Sequence, residues 1–163
     1  MLDSFFMYLQ NMQWATALRE SLVVFPVVEG LHVLGLAISA GFIVMVDLRL
    51  VGLGLKRAPF ATIFHELEPF SLWGFLLMFV TGILLFCAEA FKMYHSNTFR
   101  AKIILLALAG LNVLVFKKTI YRDVNVWSEN AVLPPRARFA GWASLILWAG
   151  VTGFGRWTAY GLS

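Results

Sequence analysis

The sequence predicts an all-α integral membrane protein, a four-helix up-and-down bundle preceded by an amphipathic helix at the membrane surface. Hydrophobic residues make up 60% of the 163 residues and charged residues only 13%, whereas soluble domains are roughly 25% charged. The apolar residues also gather into stretches of about 20, the length that a helix needs to cross the hydrocarbon core. This composition excludes a soluble cytosolic enzyme, a disordered chain and a nucleic-acid-binding protein.

Four apolar stretches predict four spans within a single transmembrane domain that covers residues 1–163. They lie at about 22–46, 70–90, 102–118 and 139–160. The uncharged part of the third stretch is short, so we expect Lys102, Lys117 and Lys118 to extend from its ends to the lipid head groups. We expect Pro69 to open the second helix, because proline is tolerated in the first turn.

The N-terminal segment predicts a helix that lies in the membrane interface. Apolar side chains alternate there with polar ones, as is typical of interfacial amphipathic helices. An acid, Asp3, stands where a cleavable signal peptide would carry basic residues, so we expect no signal peptide.

The distribution of basic residues predicts the orientation in the membrane. The connections at 47–69 and 117–138 together hold eight Lys and Arg residues, and the opposite side holds four. Because cytoplasmic loops are enriched in Lys and Arg, both connections are expected in the cytoplasm. We therefore expect a multi-pass protein of a bacterial inner membrane with both termini in the periplasm.

Polar residues inside the predicted spans mark the candidate site. A charged side chain at the bilayer centre costs about 2.5–3.5 kcal/mol on insertion scales, so such residues are functional candidates by default. Glu29 and His32 are three residues apart and share one face of the first helix. Gly35 lies on the same face, where we expect it to leave room beside the imidazole for a flat ligand.

The other spans carry polar residues at a matching predicted depth. Four residues fall in a layer less than about 10 Å thick: His32, Thr81, Asn112 and Thr152. Glu29 and Arg156 lie at one common level nearer the outer side. A buried acid and a buried base at one depth are expected to pair with each other or with charges on a ligand.

Haem is the cofactor that these residues favour. Imidazole is a common haem-iron ligand, and a four-helix bundle can hold a flat cofactor between its helices. We expect His32 to be the metal ligand, Arg156 to neutralise a haem propionate, and Glu29 to act as an outer or proton-handling group. The expected aromatic walls are Phe79, Phe86, Phe116 and Trp148.

The predicted function is therefore electron transfer through a b-type haem, with a quinone or another redox partner in the bilayer. His65 and His95 lie near opposite membrane edges, too far in depth from His32 to be the second ligand. The iron is then five-coordinate, or its sixth ligand is a group such as Met78 or comes from another subunit of a homo-oligomer.

Other interpretations stay open beside haem. His32 is equally suited to an interhelical hydrogen bond, Glu29 and Arg156 to a structural ion pair, and Asn112 to helix packing. A cofactor-free protein, either a small proton-coupled transporter using Glu29 and His32 or an assembly scaffold, is the alternative function. The single cysteine, Cys87, excludes a disulfide framework and multi-cysteine metal sites. No set of nucleophile, base and orienting group identifies an enzyme.

Several motifs resemble those of an uncharacterised bacterial family of small four-helix inner-membrane proteins, a domain of unknown function. The motifs lie at 29–35, 47–50, 81–86, 112–116 and 155–160. The resemblance covers nearly the whole chain, and the motifs around His32 and Arg156 are the most specific. It implies the architecture but no activity. The chain is more distantly similar, at the level of fold, to four-helix membrane cytochromes b and to copper-resistance D membrane proteins.

Overall fold

The computed structural model describes residues 2–55, 57–130 and 132–159, which form helices and turns and no β-strand. The helices are α1 (Leu2–Gln10), α2 (Gln13–Glu20), α3 (Val24–Val51), α4 (Phe60–Ala88), α5 (Ala90–His95), α6 (Asn97–Val115), α7 (Val124–Trp127) and α8 (Pro135–Ala159). A π-helical turn and a 3-10 turn join α6 to α7. The predicted all-α class is confirmed. Tyr160, the predicted end of the fourth span, lies outside the described residues.

Three helical segments in the described part of the chain are long and apolar enough to cross a membrane. They are α3, α4 and the segment Asn97–Trp127, which includes α6 and α7. The protein is therefore a multi-pass membrane protein with three candidate spans. The fourth long helix, α8, has 25 residues and lies against α6 and α3.

Helices α3 and α4 run antiparallel and cross very closely at glycines. A Cβ atom on Gly35 would lie 2.8 Å from the backbone nitrogen of Met78 and 2.9 Å from the carbonyl oxygen of Gly74. Farther along, the rings of Phe42 and Phe70 are 5.4 Å apart. Small residues let membrane helices approach in this way, so the two glycines fix the α3–α4 contact.

Helices α6 and α8 form the second antiparallel pair. The side-chain amide of Asn112 donates to the carbonyl of Ala140 (3.0 Å), and near the other end the hydroxyl of Thr158 donates to that of Thr98 (3.1 Å). Two hydrogen bonds thus tie the pair together near both ends.

Helix α4 begins at Phe60, so the prediction that Pro69 opens this helix is wrong, and Pro69 lies inside it. The reason is a tertiary cap. The carbonyl oxygen of Ser128 accepts from the amide of Phe60 (3.0 Å), and its hydroxyl oxygen accepts from the amide of Ala61 (2.8 Å). Helix N-termini carry unpaired amides, and the connection after α7 satisfies two of them.

The N-terminal segment forms two short helices where one was predicted. Their corner is held to the main bundle, since Arg19 donates to the carbonyls of Gln10 (3.4 Å) and Ala88 (3.2 Å). The side chain of Gln10 also accepts from the amide of Phe91 (3.0 Å). Their location at the membrane surface stays a prediction.

The interior of the bundle is filled unequally along its length. At the end where α3 finishes and α4 begins, large side chains form a continuous core, which we call the aromatic end. Its buried members are Leu50, Phe60, Phe116, Val124, Trp127, Leu133, Ala137 and Ala140. The opposite end contains the candidate site.

Candidate ligand-binding site

A cavity of about 620 Å³ lies at the end of the bundle where α3 and α6 begin and α4 and α8 finish. We call this the cavity end. Its walls come from all four long helices and from α5. Among the described residues, α4 and α6 scarcely approach within 8 Å of each other between Cα atoms, which leaves the space open. Ligand-binding cavities typically measure roughly 300–1,000 Å³, so this one has the size of a binding site.

His32 lines this cavity, and hydrogen bonds hold one of its ring nitrogens in place. Its Nδ1 lies 2.9 Å from the carbonyl oxygen of Met78 and 3.1 Å from the hydroxyl oxygen of Thr81. The Thr81 hydroxyl itself donates to the carbonyl of Leu77 (2.6 Å). A carbonyl only accepts, so Nδ1 carries the proton of the neutral ring and Nε2 keeps its lone pair. Within the described part of the chain, Nε2 has no hydrogen-bond partner.

Gly82 lets the imidazole lie close to α4. A Cβ atom at that position would be only 3.1 Å from Cε1 of His32. Gly35, which was expected to leave room beside the ring, is instead buried in the α3–α4 crossing against the backbone of Met78. The predicted free space at Gly35 is therefore occupied by α4, and the open space lies in the cavity.

Charged side chains of both signs line the cavity. They are Glu29, Glu89, Lys92, Lys102 and Arg156. Glu29 and Arg156 thus share one cavity. Lys92 lies 3.6 Å from Glu89 and forms an ion pair with it. Sequence reasoning did not assign Glu89, at the far end of the second predicted span, or Lys92 to the site, and it treated Lys102 as a head-group anchor.

The structure separates the remaining predicted site residues. Thr81 contacts His32, and Thr152 lines the same cavity. Asn112 lies elsewhere, because its amide is bonded to Ala140 between α6 and α8. Its position matches the helix-packing interpretation.

Four phenylalanines provide apolar walls. They are Phe25, Phe79, Phe86 and Phe99. The rings of Phe86 and Phe99 are stacked, 5.5 Å apart. Two other expected wall residues lie away from the cavity, since Phe116 is part of the aromatic end and Trp148 is buried in a central core with Met78, Ala109 and Val151.

Met78, which was named as a possible sixth ligand, lines the cavity and also contacts the central core. Its carbonyl accepts from Nδ1, so its backbone lies on the side of the imidazole away from Nε2. Its side chain is buried in the central core.

The other two histidines lie outside the cavity. His65 is exposed on α4, and the ring nitrogens of His95 face the carboxylate of Asp3 (3.5 Å) and the carbonyl of Phe91 (3.0 Å). In the described part of the chain, no three His, Cys, Asp or Glu residues are grouped to hold a metal ion.

These features define a multi-pass helical membrane protein with a mixed polar and apolar cavity at one end of its bundle. Residues 21–161 match the family of unknown function DUF6644, and the chain belongs to that family. No curated protein and no solved structure matches it. The family assignment agrees with the predicted resemblance to an uncharacterised family, and it assigns no activity.

Proposed function

We propose that the protein binds a b-type haem in the cavity, with Nε2 of His32 as the iron ligand that the protein would supply, and that it carries electrons within a bacterial inner membrane. This proposal depends on one observation, the tautomer and orientation of the His32 imidazole. Histidines that bind metals commonly donate their second ring N–H to a backbone carbonyl or a carboxylate, which fixes the tautomer and the ring orientation. The Nδ1 contact with the carbonyl of Met78 is such an arrangement.

The size and lining of the cavity support the same proposal. A flat porphyrin needs apolar walls, which the phenylalanines offer, and cations for its carboxylates, which Lys102 and Arg156 offer. Because the porphyrin nitrogens hold the iron, one histidine is sufficient as a protein ligand. Among the described residues His32 is the one histidine of the cavity lining, so any further iron ligand would be a different group or would come from another subunit.

Haem would supply one-electron chemistry, with the iron alternating between its ferric and ferrous states. The protein residues hold the imidazole in its ligating tautomer and keep water from the porphyrin faces. A membrane quinone or a redox protein is the proposed electron partner.

The proposal is tested by the visible absorption spectrum of the purified full-length protein, before and after addition of ferric haem. A Soret band that shifts and sharpens on reduction is expected, with about one haem per chain. A spectrum that is identical to that of free haem in the same detergent would reject haem binding. Proton uptake that depends on Glu29 and His32 would then favour the transporter alternative.

The membrane arrangement is also a proposal beyond the three candidate spans. We infer that α8 is a fourth crossing helix, because hydrogen bonds pair it with α6 near both ends. Four crossings would place both termini in the periplasm and the basic connections in the cytoplasm. Single cysteines at Arg57 and Arg136, introduced after Cys87→Ser, should resist an impermeant thiol reagent in intact cells. Labelling of both would invert the orientation, and labelling of only one would contradict a crossing by α4 or α6. A third cysteine at Trp157, near the end of α8, should be labelled in intact cells, and its protection would remove the fourth crossing.

A further inference from the structure

Lys102 occupies a distinctive position in the cavity wall. It lies on α6, and its side chain extends across α8, where its Cε and Nζ atoms are each 3.6 Å from the position that a Cβ of Gly155 would take. Because residue 155 is a glycine, the side chain of Lys102 can lie against the surface of α8 at this position.

In the part of the chain that the structure describes, no carboxylate lies within 4.0 Å of the Lys102 Nζ, and that atom donates no hydrogen bond. The two carboxylates of the cavity, Glu29 and Glu89, therefore make no ion pair with it. Lys92 lines the same cavity but is paired with Glu89 at 3.6 Å, and its side chain is 55% exposed. Lys102 is half-buried in an apolar stretch of α6. Withdrawing a cation from water without a counter-charge is costly, which makes Lys102 the residue best suited to meet an anionic ligand.

We propose that Lys102 binds a carboxylate of the ligand that occupies the cavity. The ligand is then an amphiphile with an apolar body against the phenylalanines and an acidic group at the α6–α8 wall. This inference rests on the proposed function for the identity of that group, which in haem is a propionate. Because His32 is on α3 and Lys102 on α6, one molecule that meets both spans the cavity.

The test compares acids with their esters. Ferric haem b and its dimethyl ester, in which both carboxylates are blocked, are titrated into the full-length protein in detergent and followed by absorbance. The same titrations use cis-parinaric acid and its methyl ester, a fluorescent pair without metal. Lys102→Met is expected to weaken binding of haem about tenfold and to leave the ester unchanged, since a charge-assisted hydrogen bond has that order of effect. The control Lys92→Met removes the ion-paired lysine of the same cavity. It should leave the difference in affinity between acid and ester unchanged, both for haem and for cis-parinaric acid.

The outcomes separate this inference from the haem proposal. If neither porphyrin binds, but Lys102→Met abolishes a preference for cis-parinaric acid over its ester, haem binding is rejected and the carboxylate site stands. If the porphyrins bind and Lys102→Met weakens acid and ester equally, Lys102 has only a structural role. If Lys102→Met leaves the affinity difference between acid and ester unchanged both for haem and for cis-parinaric acid, the inference is overturned.

Discussion

The two ends of the bundle use the same four helices in opposite ways. At the aromatic end, Phe60 is fully buried, and its ring lies 5.2 Å from that of Trp127 and 5.9 Å from that of Phe116. At the cavity end, Phe79 has the same chemistry but is 53% exposed. Side chains fill the interior of the aromatic end, whereas at the cavity end they line an open space.

The surroundings of the polar side chains also differ between the two ends. At the aromatic end Arg49 is almost fully buried and donates to the carbonyls of Ala58 (3.3 Å) and Asn130 (3.2 Å), which joins the two connections. At the cavity end, Nε2 of His32 has no hydrogen-bond partner among the described residues, and Lys102 lines the cavity. The comparison indicates that the aromatic end holds the helices together while the cavity end leaves open space between them.

The largest expected effect is the loss of stability at the aromatic end. Phe60→Ala should lower the free energy of unfolding by about 3–5 kcal/mol, because it leaves a cavity among closely packed rings. Phe79→Ala is the matched control and should cost far less, since its ring has few neighbours to lose. Thermal unfolding in detergent measures both variants. Equal losses would show that the ends do not differ in packing.

The next effect concerns the glycine crossing that connects the two ends. Gly35→Ala should lower stability by about 1–3 kcal/mol, because the new methyl group must push α4 away. The shift would also move the carbonyl of Met78, so haem binding should weaken. Gly41→Ala, on the same helix with nothing within 4 Å of its added Cβ, should be tolerated. A stable Gly35→Ala variant would contradict the closeness of the crossing.

A smaller effect is expected from the hydroxyl that supports the imidazole. Thr81→Val removes one acceptor from Nδ1 of His32 and should weaken haem binding about tenfold, within the range for residues that orient metal ligands. Helix stability should change little. Thr152→Val, in the same cavity, is the control, and a larger loss of haem in that variant would move the site away from His32.

The smallest effect is expected at Asn112. Asn112→Ala should lower stability by about 1 kcal/mol through the lost hydrogen bond to Ala140 and leave haem affinity unchanged. A haem titration of this variant checks the assignment, since a clear loss of affinity would return Asn112 to the ligand site.

Periodicity and apolar length predicted much of the fold but missed its tertiary caps. The apolar runs located α3, α4 and α6 because membrane helices need long apolar stretches. The start of α4 depends on Ser128, which is distant in sequence, so the position of Pro69 was misleading. Close packing at Gly35 likewise depends on which helix lies opposite.

The predicted depth of residues in the bilayer located several residues that lie close together in the structure. His32 and Thr81 were placed at one level and are in contact, and Glu29, Thr152 and Arg156 line the same cavity. Depth does not say which way a residue faces around the helix axis, and Asn112 faces α8 instead. Lys102 was taken for a head-group anchor because a lysine at a helix end usually reaches the interface.

The most direct test of the account replaces the ligand atom itself. His32→Gly should lose the Soret band of bound haem, and added free imidazole should restore it, because the iron then recovers a nitrogen lone pair in the space that the side chain vacated. Rescue is scored as haem retained per chain after gel filtration, a quantity that additional ligation of the wild-type iron by imidazole does not change. The account predicts loss and chemical rescue in His32→Gly. Full haem content in that variant without imidazole would contradict it.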